Sequence, residues 1–174
     1  KGVSIRILDI GTGSGCIAIA LAVNLPGAEV SGFDISGEAV IKAKENAVLN
    51  KANVTFFVAD MLIPLIKQDL AYDLIVANPP YVKESEKRKM SANVLDFEPH
   101  SALFVPDDDP LIFYRAVIRL ANTIIKPGGK IYFEINEALG NSVFKLIKSS
   151  GYSGIEIIKD INGKDRFAKC IKND

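Results

Sequence analysis

Ile5-Arg6-Ile7-Leu8-Asp9-Ile10 runs straight into Gly11-Thr12-Gly13-Ser14-Gly15, and the architecture is legible from this junction. The first six residues are a short, mostly apolar run that stops at glycines, the pattern of a strand buried in a parallel sheet. Glycines let the backbone turn sharply and approach a ligand closely. Their Gly-x-Gly-x-Gly spacing differs from the dinucleotide Gly-x-Gly-x-x-Gly, and the phosphate-loop Gly-Lys-Ser/Thr ending is absent. Asp9 sits just before the glycines. A carboxylate there suits a cationic or amine-bearing ligand better than a pyrophosphate. The plain alternative is a bare strand-to-helix turn, against which three alternating glycines after an apolar strand argue.

Outward from the junction, strand and helix alternate. Residues 16–24 read as a helix rich in Ala, Ile and Leu, closed by Pro26-Gly27. Residues 29–33 form a second strand. Ser36 is placed to N-cap a helix reaching about Asn50, with Ala39, Ala43 and Ala47 at helical spacing. Residues 54–58 and 72–77 are the third and fourth strands, the latter stopped by Pro79-Pro80. Periodicity is then lost from Tyr81 to Asp109, apart from a short helix expected around residues 84–92, and long loops of this kind are often functional. Asp109-Pro110 has the form of an N-cap and first helical residue, followed by the apolar stripe Tyr114, Val117, Ile118, Ala121. Pro127-Gly128-Gly129 turns the chain into a fifth strand, 130–135. Leu139, Val143, Leu146 and Ile147 mark another helix. Two last strands, 155–158 and 166–171, are joined through the hairpin signal Asn162-Gly163. Repeated strand–helix units predict a doubly wound, mostly parallel α/β sheet, and the closing hairpin adds an antiparallel strand. Ligands in such sheets lie at the carboxyl ends of the strands, near the point where strand order reverses.

That rule selects the polar residues worth weighing. Asp34 ends the second strand about twenty residues past the loop, where a carboxylate accepts from both hydroxyls of a ribose. Its competing role is to assist the helix that starts near Ser36. Asp60 follows the third strand with Met61 beside it. The pair suits an adenine amino group and ring face, or Asp60 simply caps the following turn. Asn78-Pro79-Pro80-Tyr81 ends the fourth strand and is the most informative tetrad. An amide or aromatic amino nitrogen is a poor nucleophile, because its lone pair is delocalised. To take a methyl group from a sulfonium it needs acceptors for its hydrogens and a fixed orientation. The Asn78 side-chain oxygen and the Pro79 carbonyl supply acceptors. Proline lacks an N–H and fixes φ, which holds the turn rigid, and Tyr81 offers a flat wall.

Bulk properties narrow the classes. The chain has 174 residues, one domain's worth. Its 21 Lys and Arg match its 21 Asp and Glu, so the basic excess usual in a protein that grips a nucleic-acid backbone is missing. Cys16 and Cys170 make no metal or disulfide framework, which points to a reduced cytoplasm. No metal site is expected. The longest apolar stretch, residues 16–23, is far short of the roughly 20 residues a membrane span needs. Lys1 leads almost at once into the first strand, so an upstream region is expected to be missing.

Asp9 to Gly15, Asp34 and Asn78 to Tyr81 resemble the class I, Rossmann-like methyltransferases that modify amide or exocyclic amino nitrogen. Asp96-Phe97-Glu98-Pro99-His100-Ser101-Ala102-Leu103, Phe113-Tyr114-Arg115, Lys126 to Gly129 and Asp160 to Arg166 narrow the likeness to the peptide-chain release-factor glutamine methyltransferases of HemK type. It covers essentially the whole chain. The resemblance implies a seven-stranded sheet forming one catalytic domain over residues 1–174. It implies transfer of a methyl from S-adenosylmethionine, leaving S-adenosylhomocysteine, to the amide nitrogen of the glutamine in the Gly-Gly-Gln loop of release factors. Asp9, Gly11, Thr12, Gly13, Ser14, Gly15, Asp34, Asp60, Met61 and Asn78 would hold the donor. Asn78, Pro79 and Tyr81 would be catalytic, and Asn78, Pro79, Pro80, Tyr81 and Glu98 would bind the target. Release factors are the expected partner, with no membrane, no direct nucleic-acid contact and a monomeric state.

The chain departs from the family pattern in two places. Val105-Pro106-Asp107-Asp108-Asp109 stands where glycines are frequent, and Asn136 where a glycine often follows the fifth strand. The helical region that members carry upstream to grip the release factor is also absent from these residues. Two other functions compete: methylation of an exocyclic amino group of adenine or cytosine in nucleic acid, and a module that binds S-adenosylmethionine without turnover. Among single residues, His100 is expected to be a loop residue rather than a base. The run from Lys83 to Lys89 is expected to be a solvated helix face, and Cys16 a small buried apolar residue.

Overall fold

β1 (Arg6–Ile10) is the strand around which the computed structural model, which describes residues 4–63, 71–89 and 103–174, is organised. Side chains alternate across a strand, and here both sides are buried. Ile7 joins Ala18, Ile19, Val40 and Ala43 in the core beneath α1 (Cys16–Asn24) and α2 (Gly37–Leu49). Leu8 and Ile10 point the other way, into a larger core with Tyr114, Val117 and Ala121 of α3 (Ile112–Ile124) and Val143 and Ile147 of α4 (Gly140–Ser149). The sheet is thus covered by two layers of helices, as the strand–helix alternation requires.

β2 (Glu29–Asp34), β3 (Val54–Val58), β4 (Tyr72–Ala77), β7 (Ile125–Glu134), β8 (Tyr152–Lys159) and β9 (Asp165–Lys172) complete a seven-stranded sheet in the order β3-β2-β1-β4-β7-β9-β8. β1 pairs in parallel with β2 on one side and β4 on the other, and only β9 runs antiparallel to its neighbours β7 and β8. Strand order reverses between β1 and β4, with Ile10 opposite Ala77. The residues that follow each, Gly11 and Asn78, therefore leave the sheet side by side.

The expected fold, with its closing hairpin, is the one observed, and most elements fall where the sequence puts them. Ser36 caps α2 by accepting from the Ala39 N–H at 3.2 Å. Gly163, at φ 77°, turns the hairpin, with Asp160 accepting from the Asn162 and Lys164 N–H groups. Three expectations need correction. β7 begins at Ile125 rather than Lys130, because Ile125 pairs with Tyr72 and Lys130 with Leu74, so Pro127-Gly128-Gly129 forms a bulge inside the strand. The Asp73 carboxylate pins this bulge, taking Lys126 Nζ at 2.6 Å and the Arg6 N–H at 2.8 Å. Asp109 does not cap α3. Its carboxylate pairs with the Arg115 guanidinium and its carbonyl closes a tight turn onto the Ile112 N–H. Cys16 is exposed, since as the first residue of α1 it lies on the loop side, with Sγ 3.2 Å from Ser14 Oγ.

Between β4 and α3, where no periodicity is legible, β5 (Val82–Lys83) and β6 (Phe104–Val105) form a two-residue parallel ladder, and Glu84–Lys89 is a 3-10 helix. The rest of the helix expected to residue 92 lies outside the described residues.

Gly15, at φ 83°, carries the chain from the loop into α1, and a Cβ there would stand 3.0 Å from Ala43 Cβ and from the Phe56 ring. Strain at such a position costs about 1–3 kcal/mol. Gly15→Ala is therefore predicted to lower the unfolding free energy by that amount, seen by circular dichroism as a lower urea midpoint at an unchanged m value.

Candidate active site

The loop after β1 is a chain of backbone contacts to β2. The Gly11 and Thr12 N–H groups both donate to the Phe33 carbonyl at 2.9 Å, and the Gly15 N–H closes back on the Thr12 carbonyl at 2.9 Å. Gly11, Gly13 and Gly15 all lie at positive φ, between 55° and 83°, where a side chain is disfavoured. The loop needs its glycines on conformational grounds, and Gly11 also faces Met61, whose Cε would be 3.3 Å from a Cβ. Asn46 of α2 braces the loop from outside by donating to the Ser14 carbonyl at 2.9 Å.

Asp9 is 1% exposed, on the α1 side of β1, where the pattern of the strand calls for an apolar residue. Its Oδ2 accepts from Thr12 Oγ1 at 2.6 Å and from the Ala18 N–H at 3.2 Å. Its Oδ1 is buried without a hydrogen-bond partner. Burial pushes the carboxyl up to about 6, against the pull of the Thr12 and Ala18 hydrogen bonds, and the nearby Asp34 charge adds to the rise. An unpartnered carboxylate oxygen in such a place is costly.

Asp34 ends β2 and performs the helix-side role that competes with ribose binding, while also reaching the loop. Oδ1 accepts from the Ser36 N–H and Oδ2 from the Gly13 N–H, each at 2.9 Å. A carboxylate oxygen has a second lone pair, so both bonds leave acceptor capacity. Ile35, next in sequence, is 63% exposed at the same strand end. Its signal in the sequence, not weighed above, is a large apolar residue directly after a strand-ending acid. Asp60 uses Oδ1 to accept from the Leu62 N–H at 2.7 Å, the turn-capping arrangement.

After β4, Asn78 is exposed, Pro79 is buried, and Pro80 and Tyr81 are half-buried. Tyr81 Oη donates to Glu134 Oε1 at 2.8 Å. Burial pushes this phenol up to about 12, and the hydrogen bond to Glu134 and its charge push the same way. Glu134, at the end of β7, is the principal residue missed. The only hint of it was an acid at the carboxyl end of a strand, and its adjacency to β4 is not a local feature of the sequence. Asn136 donates to the Tyr81 carbonyl at 3.3 Å. The structure thus gathers Asp9, the loop from Gly11 to Gly15, Asp34, Asp60, Met61 and the Asn78–Tyr81 turn at one end of the sheet. Glu98 and His100 lie outside the described residues. Among the described residues, no group of three or more His, Cys, Asp or Glu side chains is placed to hold a metal, and no helix is long and apolar enough to cross a membrane.

This arrangement has counterparts. A release factor glutamine methyltransferase of Bacteroides thetaiotaomicron is 53% identical over 162 residues, covering 93% of this chain and 58% of the relative. One of the same name from Flavobacterium psychrophilum is 46% identical over 168 residues, covering 95% of this chain and 58% of the relative. The chain thus spans 58% of the length of these two relatives. A crystal structure of a methyltransferase from Pyrococcus furiosus shares the fold, with a TM-score of 0.70 over 98% of this chain and 76% of that one, at 21% identity. The methyltransferase small domain model matches residues 1–98, a span that runs from β1 through the glycine loop and past the Asn78–Tyr81 turn. Since that is more than half of the 174 residues, the chain belongs to the methyltransferase small domain family.

Proposed function

We propose that this chain is the catalytic domain of an S-adenosylmethionine-dependent methyltransferase whose target is the side-chain amide nitrogen of the glutamine in the Gly-Gly-Gln loop of peptide-chain release factors. The observation that carries the reading is the adjacency of two loops. The glycine loop after β1 and the Asn78–Tyr81 turn after β4 emerge from neighbouring strands, at the reversal of strand order. A donor and an acceptor held in these two places meet without either strand moving. The names of the two relatives supply the choice of target.

The residues fit the donor. The unpartnered Oδ1 of Asp9 suits a cationic amine, the spare lone pairs of Asp34 suit ribose hydroxyls, and the faces of Met61 and Ile35 suit an aromatic base. Gly11, Gly13 and Gly15 leave the loop backbone open to the donor, with Thr12 and Ser14 between them, and Asp60 stands at the base end. When bound, S-adenosylmethionine supplies a methyl group activated by a sulfonium centre. Asn78 and the Pro79 carbonyl accept from the target amide N–H groups and orient its nitrogen, and Pro80 keeps the turn rigid. Tyr81 walls the amide plane. The new bond is N–CH3, the bond broken is S–CH3, and the displaced amide proton leaves to water. The Tyr81 phenol, held neutral up to about 12, plays no part as a base near neutral pH. Glu98 belongs to the target side in this reading, and the reaction belongs in the cytoplasm, where release factors act.

Mass spectrometry of a bacterial release factor incubated with this chain and S-adenosylmethionine tests the proposal. One added methyl on the Gly-Gly-Gln glutamine is expected. Asn78→Ala should keep donor binding and slow transfer roughly 10²–10³-fold, as for loss of one polar group aimed at the reacting centre. Full turnover in that variant would remove Asn78 from the chemistry. Donor binding by wild type without methylation of the factor would turn attention to exocyclic amino groups of nucleic acid, or to a module without turnover.

Asp9 adds a pH dependence. Its carboxyl is raised from 3.8 to about 6 in the fold, so the folded state binds the extra proton. That stabilising contribution is complete below about pH 4 and is lost as pH rises through about 6. A cationic amine favours the carboxylate, so donor affinity should rise across about pH 5 to 7. Asp9→Asn should flatten the profile in calorimetric titrations, and an unchanged profile would dissociate Asp9 from the donor amine.

A further inference from the structure

We infer that Glu134 and Asn136, at the carboxyl end of β7, are positioning residues that clamp Tyr81 from both its side chain and its backbone and so fix the plane offered to the target nitrogen. The inference rests on the methyl-transfer reading above and assigns roles to two residues outside the loops that reading uses.

The side-chain half of the clamp is the Tyr81 Oη to Glu134 Oε1 hydrogen bond at 2.8 Å. Glu134 is itself fixed. Its neighbour Phe133 is buried and pairs with Ala77 of β4, and alternation turns Glu134 to the opposite face. Its carbonyl accepts from the buried Tyr114 hydroxyl at 3.2 Å, and it pairs with Phe167 of β9. The Tyr81 ring thus hangs from a strand end anchored on three sides. With its one proton committed to Glu134, Tyr81 presents its ring rather than its hydroxyl.

The backbone half comes from Asn136. Its Nδ2 donates to the Tyr81 carbonyl and to Glu86 Oε2, both at 3.3 Å. Its Oδ1 accepts from the Ala138 N–H at 2.9 Å, a bond that only the oxygen can make, so the amide has one orientation. Glu86 in turn accepts from the Lys83 N–H at 3.0 Å. Residues 81–86 are therefore tied to the end of β7 through one amide group. Asn136 takes one lone pair of the Tyr81 carbonyl, and Asn78 and the Pro79 carbonyl, one on each side of the turn's first peptide, remain the acceptors assigned to the target amide.

The test combines methyl-transfer kinetics on a release factor with ultraviolet titration of Tyr81, whose phenolate signal is assigned by its loss in Tyr81→Phe. Glu134→Ala and Asn136→Ala are each expected to lower kcat roughly 10–100-fold, the scale of a small misplacement, with donor affinity unchanged. Glu134→Gln, which keeps an acceptor of the same shape, should recover most of the rate. The Tyr81→Phe/Glu134→Ala pair should be no slower than the slower single variant, because the two act as one unit. Removing the charge should let the Tyr81 phenolate form at lower pH in both Glu134 variants. Wild-type kcat in Glu134→Ala and Asn136→Ala, multiplicative losses in the double variant, or an unmoved tyrosine titration would overturn the clamp. A wild-type protein that methylates no release factor would overturn the target assignment instead, and the tyrosine titration would still read the clamp.

Discussion

β1 is flanked by β2 and β4 and covered on both faces, so Ile7 to Ile10 are shut off from bulk water, yet the strand's fourth residue is an aspartate. A buried carboxyl must be protonated, paired or hydrogen-bonded. Asp9 is satisfied on one oxygen by Thr12 and Ala18, which ties the glycine loop and the first turn of α1 to the end of the strand. The loop and the start of the helix are both held by that attachment. Asp34 sits one strand over, and its Oδ2 reaches back to Gly13. Two acids on adjacent parallel strands thus hold one loop from below and from the side.

The opposite half of the site is built by different means. The Asn78–Tyr81 turn has prolines in place of backbone donors, so it cannot hold itself by the N–H contacts that shape the glycine loop. Its order comes from β7, the next strand, through Glu134 and Asn136. The donor-side loop is held by N–H contacts to β2, by the Thr12 hydroxyl on Asp9 of β1 and by the Asn46 amide of α2, whereas the acceptor-side turn is held by two side chains at the end of the next strand.

Sequence patterns carried the fold because local rules govern it. The apolar runs at 54–58 and 72–77 and the Ser36 cap needed no tertiary information, and the strand-order reversal follows from repeated strand–helix units. The loop, Asp34 and the Asn78–Tyr81 turn were legible because each directly follows a strand. Glu134 was not, since its partner lies 53 residues earlier in the chain and only the pairing of β4 with β7 brings them together. Cys16 was misjudged because the apolar composition of α1 hides which face its first residue takes. The bulge at Pro127-Gly128-Gly129 looked like a turn because its glycines and proline carry the same signal in either setting. The register of Tyr72 and Leu74 distinguishes them.

β8 is made before β9 but meets the sheet only through it, because β9 lies between β7 and β8. It has no strand to pair with until the chain has turned at Asn162-Gly163 and come back. The far edge of the sheet is therefore a hairpin, and among the described residues the β7–β9 seam is its single line of attachment to the other strands. A slip of the hairpin along that seam would carry Phe167 away from Glu134 and so reach the Tyr81 turn, while the pairing of β1 with β2 and β4 would stay as it is. The last hairpin of the chain thus helps set the alignment of a side chain in the turn after β4.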